Sequence, residues 1–224
     1  MASKPDSLSN LQIHNTSPKH AVGVSETVRE AFGVGLGEAC GDCMTPAHVR
    51  AQIWRFPAGQ FSATVGGGKV VGMAATMRTS RPPSEKALGW ISAIGDLEIS
   101  AHEPAGRWLY GVEMAVRPLY QGRGIGTKLY HARFQLARRL NLCGWYAVGM
   151  LMGYARYAGE MDVVTYGEKV MARELSDPTV TMQMNRGFRV DYVVTDYLDE
   201  PAAGDAGVLI VWENPDYQAG AAVT

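Results

Sequence analysis

The sequence has few cysteines, no excess of charge of one sign and no long hydrophobic run. Its 224 residues include three cysteines, an odd number that argues against a secreted scaffold held by disulfides. Lys and Arg number 21 and Asp and Glu 22, so no positive field exists to hold a nucleic-acid backbone. No stretch reaches the ~18 apolar residues that cross a bilayer, and residues 1–10 lack a signal core. We therefore expect a cytoplasmic protein without a nucleic-acid or membrane partner.

Cys40 and Cys43 have the CxxC spacing of redox and zinc motifs. A tetrahedral zinc site needs four ligands, and no second pair is present, so no metal is predicted. A redox CxxC would open a helix after a strand, whereas this pair lies in a glycine-rich stretch. The favoured interpretation is a loop that carries two thiols, with redox or metal use as the alternative.

Glycine is abundant, with 26 residues against a typical share of about 7%. Some glycines should therefore hold special backbone geometry. Hydrophobic residues make up 46% of the chain and charged residues 19%, a balance typical of a globular protein. The length fits a single domain over residues 11–224, preceded by a loose tail at residues 1–10.

The residue pattern predicts a mixed α/β sheet. A first helix is predicted at 25–32, capped by Ser25, and a second from Thr45-Pro46 to about Phe56. Residues 84–107 are predicted to be loop-like, and residues 153–176 helical or looped. Two more helices are predicted, at 123–140 and from Asp177-Pro178 to Gly187. The predicted strands are 11–14, 61–65, 70–79, 109–116, 145–152, 188–195 and 208–212. A glycine turn joins the second of these strands to the third.

The chemistry is expected where the strand 109–116 meets the helix that begins near Arg123. Gly122, Gly124 and Gly126 alternate there, so the backbone can pass close to a ligand. Their N–H groups and the helix N-terminus form an anion site, to which Arg123 adds charge. This arrangement predicts a phosphate or pyrophosphate site.

Two familiar phosphate-binding motifs do not fit this turn. A P-loop needs Gly-Lys-Ser/Thr, but Gly126 is followed by Thr127. A Rossmann fingerprint needs a third glycine, but Thr127 occupies that position. It also needs an acidic residue about 20 positions further on, and residues 140–150 contain no Asp or Glu.

The segment 121–126 (Gln-Gly-Arg-Gly-Ile-Gly) resembles the pyrophosphate loop of the GNAT superfamily, the acetyl-CoA-dependent N-acetyltransferases. Val116-Arg117-Pro118 before it and Gly187-Phe188 near the C-terminus are similar to two further GNAT motifs, and the order of elements agrees along nearly the whole chain. Segments 174–178, 185–188 and 197–198 resemble a branch with an extended segment before the last helix. Some members of that branch are fused to a nitrilase-like domain, for which this chain is too short.

The resemblance implies an α/β fold whose mixed, mostly antiparallel sheet is flanked by helices and splayed at the strand that follows the key strand 109–116. Acetyl-CoA would be the cosubstrate, with its pyrophosphate on the turn amides and its pantetheine arm paired with residues 114–116. The Met114 amide would be the oxyanion donor. The implied CoA-binding residues are Met114, Ala115, Val116, Gln121, Gly122, Arg123, Gly124, Ile125, Gly126 and Thr127.

Acetyl transfer also needs a base that deprotonates the acceptor amine before it attacks the thioester. Many relatives carry Glu six residues before the valine of the key strand, where this chain has Tyr110. Glu113 lies three residues before Val116. In a regular strand Glu113 and Met114 point to opposite faces, so a bulge would be needed to bring both to the acetyl group. Glu113 is the predicted base with Tyr110 in reserve, and the alternative for Glu113 is a sheet-face carboxylate paired with Lys or Arg.

Many relatives also use a tyrosine as general acid, and this chain has Gln183 at that position. Tyr154, Tyr157 or Tyr166 could replace it. The segment 153–176 is longer than a plain connection, so we expect it to form part of the acceptor pocket, with Tyr154 or Tyr157 near the acetyl group. The alternative is a packing arm, for instance at a homodimer contact.

The expected function is transfer of the acetyl group of acetyl-CoA to a primary amine of a small molecule. Direct attack in a ternary complex is expected because the key strand carries no cysteine nucleophile. His102, in the loop before that strand, is a candidate on the acceptor side, with a surface histidine as the alternative. Two other functions stay open: a non-catalytic acyl-CoA-binding module, in keeping with Gln183, and transfer of a different acyl group.

Overall fold

The computed structural model describes residues 8, 10–35 and 38–220, so most of the tail predicted at residues 1–10 lies outside the described residues. The strands are β1 (Gln12–Asn15), β2 (Gln60–Val65), β3 (Lys69–Thr79), β4 (Trp108–Val116), β5 (Gly144–Met150), β6 (Arg189–Val194) and β7 (Gly207–Glu213). The α-helices are α1 (Ala21–Ala31), α2 (Pro46–Arg55), α3 (Trp90–Ile94), α4 (Ile125–Arg139), α5 (Val163–Met171) and α6 (Val180–Met184).

The strands form one mixed sheet in the order β1-β2-β3-β4-β5-β7-β6. Neighbouring strands are antiparallel except β4 and β5, which are parallel. Helices α1 and α4 both pack on β3 and β4, while α5 packs on β6 and α6 on β5 and β7. The predicted mixed, mostly antiparallel sheet flanked by helices is confirmed.

The sheet splays between β4 and β5. Their pairing joins Trp108–Tyr110 to Gly144–Tyr146 and ends there. Beyond that point β5 stays paired with β7 and β4 with β3, so the two strands diverge. The predicted splay is confirmed, and it opens a cleft beside the second half of β4.

The first helix begins earlier than the sequence predicts. A 3₁₀ turn at Pro18–His20 leads directly into α1 at Ala21, and Ser25 is buried inside the helix rather than capping it. The prediction of Ser25 as cap was wrong because a serine can also lie in a helix interior. The second helix was predicted correctly: the Thr45 hydroxyl accepts a hydrogen bond from the His48 amide, and Pro46 is the first helical residue.

Two segments predicted as loops carry more structure. Residues 84–107 contain α3, whose five residues are too few to show a helical period. Cys40 and Cys43 are joined by a disulfide, where the sequence predicted two thiols in a loop. None of the described helices is both long and apolar enough to cross a membrane.

Candidate active site

A cleft of about 320 Å³ occupies the splay between β4 and β5. Glu113 and Met114 line it from β4, Arg133 from α4 and Gln183 from α6. Trp90 of α3 also lines it, and its indole N–H donates a hydrogen bond to the Val112 carbonyl over 2.9 Å. Among the described residues no strand pairs with the β5-facing edge of β4 from Glu113 to Val116, so this edge can pair with an extended ligand.

A bulge in β4 lies directly before Glu113 and Met114, which both line the cleft. Ala75 of β3 lies opposite Glu113, whereas the next residue, Thr76, lies opposite Gly111, so Val112 is the extra residue. A bulge reverses the alternation of side chains beyond it. Glu113 and Met114 themselves pair in regular register with Ala75 and Ala74, so this bulge alone does not turn both side chains to one face of the sheet.

Burial raises the pKa of the Glu113 carboxyl to about 7, while its hydrogen bond from the Met114 amide and the charge of Arg133 oppose this shift. A carboxyl that is half ionised near neutral pH is suited to accept a proton from an amine and to release it again. Glu113 therefore combines a place in the cleft lining with a carboxyl that can exchange a proton near neutral pH.

The Met114 amide, which the resemblance implies as oxyanion donor, donates to Glu113 Oε1 over 2.8 Å. A thioester carbonyl at this amide would compete with the carboxylate for the same N–H group. The two predicted functional groups are therefore neighbours, and the side chain of Glu113 must shift if the amide is to serve a ligand.

The turn before α4 has the geometry of an anion site. Gly122 (φ +69°) and Gly124 (φ +82°) have left-handed backbones that favour glycine, and nothing lies within 4 Å of the position of a Cβ at either residue. The Lys128 amide donates to the Gly124 carbonyl. The amides of Ile125, Gly126 and Thr127 come before that first intrahelical bond, so they are available to a phosphate.

Two arginines place positive charge beside this turn. Arg123 lies over the Tyr120 ring at 5.8 Å, and its buried Nη1 has no hydrogen-bond partner among the described residues. Arg186 Nη2 donates to the Thr127 hydroxyl over 2.7 Å. The sequence argument missed Arg186, although it directly precedes the Gly187-Phe188 motif. Both cations suit a pyrophosphate, and the turn fits the CoA group that the motif implies.

Arg133 also lines the cleft and was not predicted from the sequence. It is only 3% exposed, and its guanidinium lies 4.1 Å from the Trp145 ring and 4.6 Å from the Tyr130 ring. The sequence carries a signal for it, since Arg133 lies on the apolar stripe of α4 with Leu129 and Leu136, where a charged residue is rare.

Tyr110 and His102 are not in the cleft lining. The Tyr110 hydroxyl shares a 2.9 Å hydrogen bond with Tyr197, and burial raises the pKa of Tyr110 to about 12, which makes it a poor base at neutral pH. His102 stacks on Phe56 at 4.7 Å and accepts a hydrogen bond from the Arg78 amide. Burial lowers the pKa of His102.

Tyr154 and Tyr157 also lie outside the cleft lining. Their rings pack at 5.8 and 5.1 Å from the Tyr166 ring, in a second core with Leu151 and Val170. The segment 153–176 forms a 3₁₀ turn and α5, and in this arrangement it matches the packing arm that was the alternative to an acceptor pocket.

Residues 26–156, more than half of the chain, match the model of the acetyltransferase (GNAT) family. This chain belongs to the GNAT family. Its membership supports acyl transfer as the general reaction, and it agrees with the motif at 121–126 and with the splayed sheet.

Two curated relatives come from Bacillus subtilis strain 168. The GNAT chain is 32% identical over 188 residues to the probable hydrolase YhcX. This alignment covers 82% of this chain and 36% of YhcX. The chain thus spans little more than a third of that relative. This chain is also 28% identical over 187 residues to the uncharacterized N-acetyltransferase YkwB. That alignment covers 79% of this chain and 82% of YkwB.

Among solved structures, the GNAT-like decarboxylase GphF in complex with isobutyryl-CoA superposes with a TM-score of 0.74. The match covers 91% of this chain and 99% of that one at 18% identity. At this identity the likeness supports the fold.

Proposed function

We propose that this GNAT protein transfers the acetyl group of acetyl-CoA to the primary amine of a small molecule. The observation that carries the proposal is the uncovered edge of β4, which leads from the glycine turn at 121–126 to Glu113. A CoA thioester bound along this edge would bring its reacting end to Glu113, a cleft carboxyl whose pKa burial raises to about 7.

Binding would rest on the turn amides and on charge. The amides at the start of α4 and the guanidinium groups of Arg123 and Arg186 would hold the pyrophosphate. The edge of β4 at 114–116 would supply backbone hydrogen bonds to the pantetheine arm, as an added strand does. When bound, the cosubstrate supplies an activated acetyl group.

Two residues would then carry the acetyl transfer, Glu113 as the base and Met114 as the oxyanion donor. Glu113 would take the proton from the ammonium form of the acceptor, directly or through a water, so that the amine can attack. The Met114 amide would stabilise the negative charge that develops on the thioester oxygen. The thiol of CoA has a pKa of about 8.5, so its thiolate would leave readily and a dedicated acid at the position of Gln183 would be dispensable.

A non-catalytic acyl-CoA-binding module is the second candidate. It is favoured by Gln183, which lines the cleft where relatives carry a tyrosine, and by the absence of Tyr154 and Tyr157 from that lining. The sites of CoA binding would be the same for both candidates.

Thiol release separates them. Acetyl-CoA is mixed with a panel of primary amines, and free thiol is followed by its absorbance after reaction with a disulfide reagent. Amine-dependent release, with acetylated amine found by mass spectrometry, supports transfer. Calorimetric binding of acetyl-CoA without release supports the binding module. Release with another acyl-CoA but not with acetyl-CoA would indicate a different donor.

A further inference from the structure

Arg133 is a buried cation that makes no direct ion pair among the described residues, although the charge of Glu113 acts on it. Its side chain faces the cleft, and it is 3% exposed. Among the described residues no carboxylate forms an ion pair with it: the recorded pairs of arginine are made by Arg55, Arg81, Arg117, Arg138 and Arg189. Glu113 is close enough to affect its pKa, yet the Glu113 carboxylate takes its hydrogen bond from the Met114 amide instead.

The hydrogen bonds of this guanidinium are only partly satisfied. Its Nη2 donates over 2.9 Å to the sulfur of Met114, which is a weak acceptor, and the Tyr130 hydroxyl also interacts with the guanidinium. Its Nε has no partner in the described part of the chain. Burial lowers the pKa of Arg133 to about 10, which still leaves it charged at neutral pH. A buried charge is costly unless it is paired, so the site is incomplete as it stands.

Other unpartnered polar atoms lie around the same space. The indole N–H of Trp145 and the amide oxygen Oε1 of Gln183 are buried and donate or accept no hydrogen bond within residues 10–35 and 38–220. Trp145 and Gln183 both line the cleft with Arg133. The Trp145 ring contacts the guanidinium through a cation–π interaction, which helps to hold the cation in place.

We propose that Arg133 binds a carboxylate carried by the substrate, so that this enzyme acts on an acidic small molecule. The inference rests on the proposed function and names its substrate class. A carboxylate is the small anion that matches a guanidinium in shape and charge. It would have one of two sources: the far end of a dicarboxylic acyl group on CoA, or the acceptor, as in an α-amino acid. Both sources present the same chemistry to Arg133.

The test compares each acid with a neutral partner that lacks the carboxylate. In the donor arm, calorimetry measures the binding of malonyl-CoA and of acetyl-CoA. In the acceptor arm, thiol release measures kcat/KM for an amino acid and for its carboxamide, such as glycine and glycinamide. We expect the acid to be favoured by about tenfold to a hundredfold in one arm, the range of a charge-assisted hydrogen-bonded pair.

Variants assign that preference to Arg133. Arg133→Met removes the charge and keeps a long apolar chain, so it should abolish the preference, measured as the ratio of acid to neutral partner within this variant. Arg133→Lys keeps a charge without the planar fork, so it should retain part of the preference and serves if the methionine variant fails to fold. Arg139→Met, on the exposed side of the same helix, is the matched control.

A purely structural role of Arg133 would weaken acid and neutral partner alike, and this result would overturn the proposal. So would an equal affinity for acid and neutral partner in both arms of the wild type, or a preference that survives in Arg133→Met at full size. If neither acetyl-CoA nor malonyl-CoA binds at all, the proposed function fails first and the inference falls with it. Acetyl transfer without any preference for acids overturns only the inference.

Discussion

Replacement of Glu113 by Gln tests its role through two independent readouts. Glutamine keeps the size of the side chain and an oxygen for the Met114 amide, but it can neither ionise nor accept a proton. If Glu113 is the base, kcat should fall by about 10²-fold or more, and CoA affinity should hardly change. The rise of the wild-type rate with pH near 7 should also disappear from the variant.

The second readout is stability. The pKa of Glu113 is raised from 4.5 to about 7 by burial, so as pH rises the unfolded chain releases this proton before the folded chain does. Stability contributed by the protonated carboxyl is therefore present below pH 4.5 and lost as pH rises to about 7. Between pH 5 and pH 8 the wild type should lose about 2–3 kcal/mol relative to Glu113→Gln.

Chemical denaturation of both proteins at pH 5 and pH 8 measures this difference. Glu160→Gln, which alters an exposed glutamate before α5, is the control and should track the wild type at both pH values. A stability difference between wild type and Glu113→Gln that does not change with pH would refute the raised pKa. If the stability difference depends on pH but Glu113→Gln leaves kcat unchanged, Glu113 is a buried carboxyl with a raised pKa and is not the base.

Three other predictions concern the turn and the tyrosines. Gly124→Asp should abolish CoA binding by calorimetry while Gly124→Ala, which shares the strain of a side chain at φ +82°, weakens it far less; equal affinities for both variants would contradict an anion site. Arg186→Gln should weaken CoA binding severalfold at low salt and less at high salt, and an effect independent of salt would argue against a phosphate contact. Tyr154→Phe with Tyr157→Phe should leave the acceptor KM unchanged and lower the melting temperature slightly; a raised KM would place the acceptor near them after all.

The turn and the key strand were predictable from the sequence because local chemistry determines them. A left-handed backbone favours glycine whatever surrounds it, as at Gly122 and Gly124. The pattern of β4 and the start of α4 follow from hydrophobic periodicity and from the turn between them. The splay followed from the family resemblance, not from the residues alone.

The neighbours of each side chain were not predictable in the same way. The α4 stripe places Arg133 on a buried face, but nothing local shows that Trp145 and Tyr130 meet it there. His102 and the tyrosines at 154 and 157 were chosen for their chemistry and their loop positions. Their packing on Phe56 and Tyr166 depends on contacts between distant segments.

Amine-dependent release of thiol from acetyl-CoA is the most direct test of the account. The account predicts release that requires both the protein and a primary amine, that rises with pH through about 7, and that is lost in Gly124→Asp and strongly reduced in Glu113→Gln. Tight binding of acetyl-CoA with no amine-dependent release, across acidic and neutral amines alike, would contradict it.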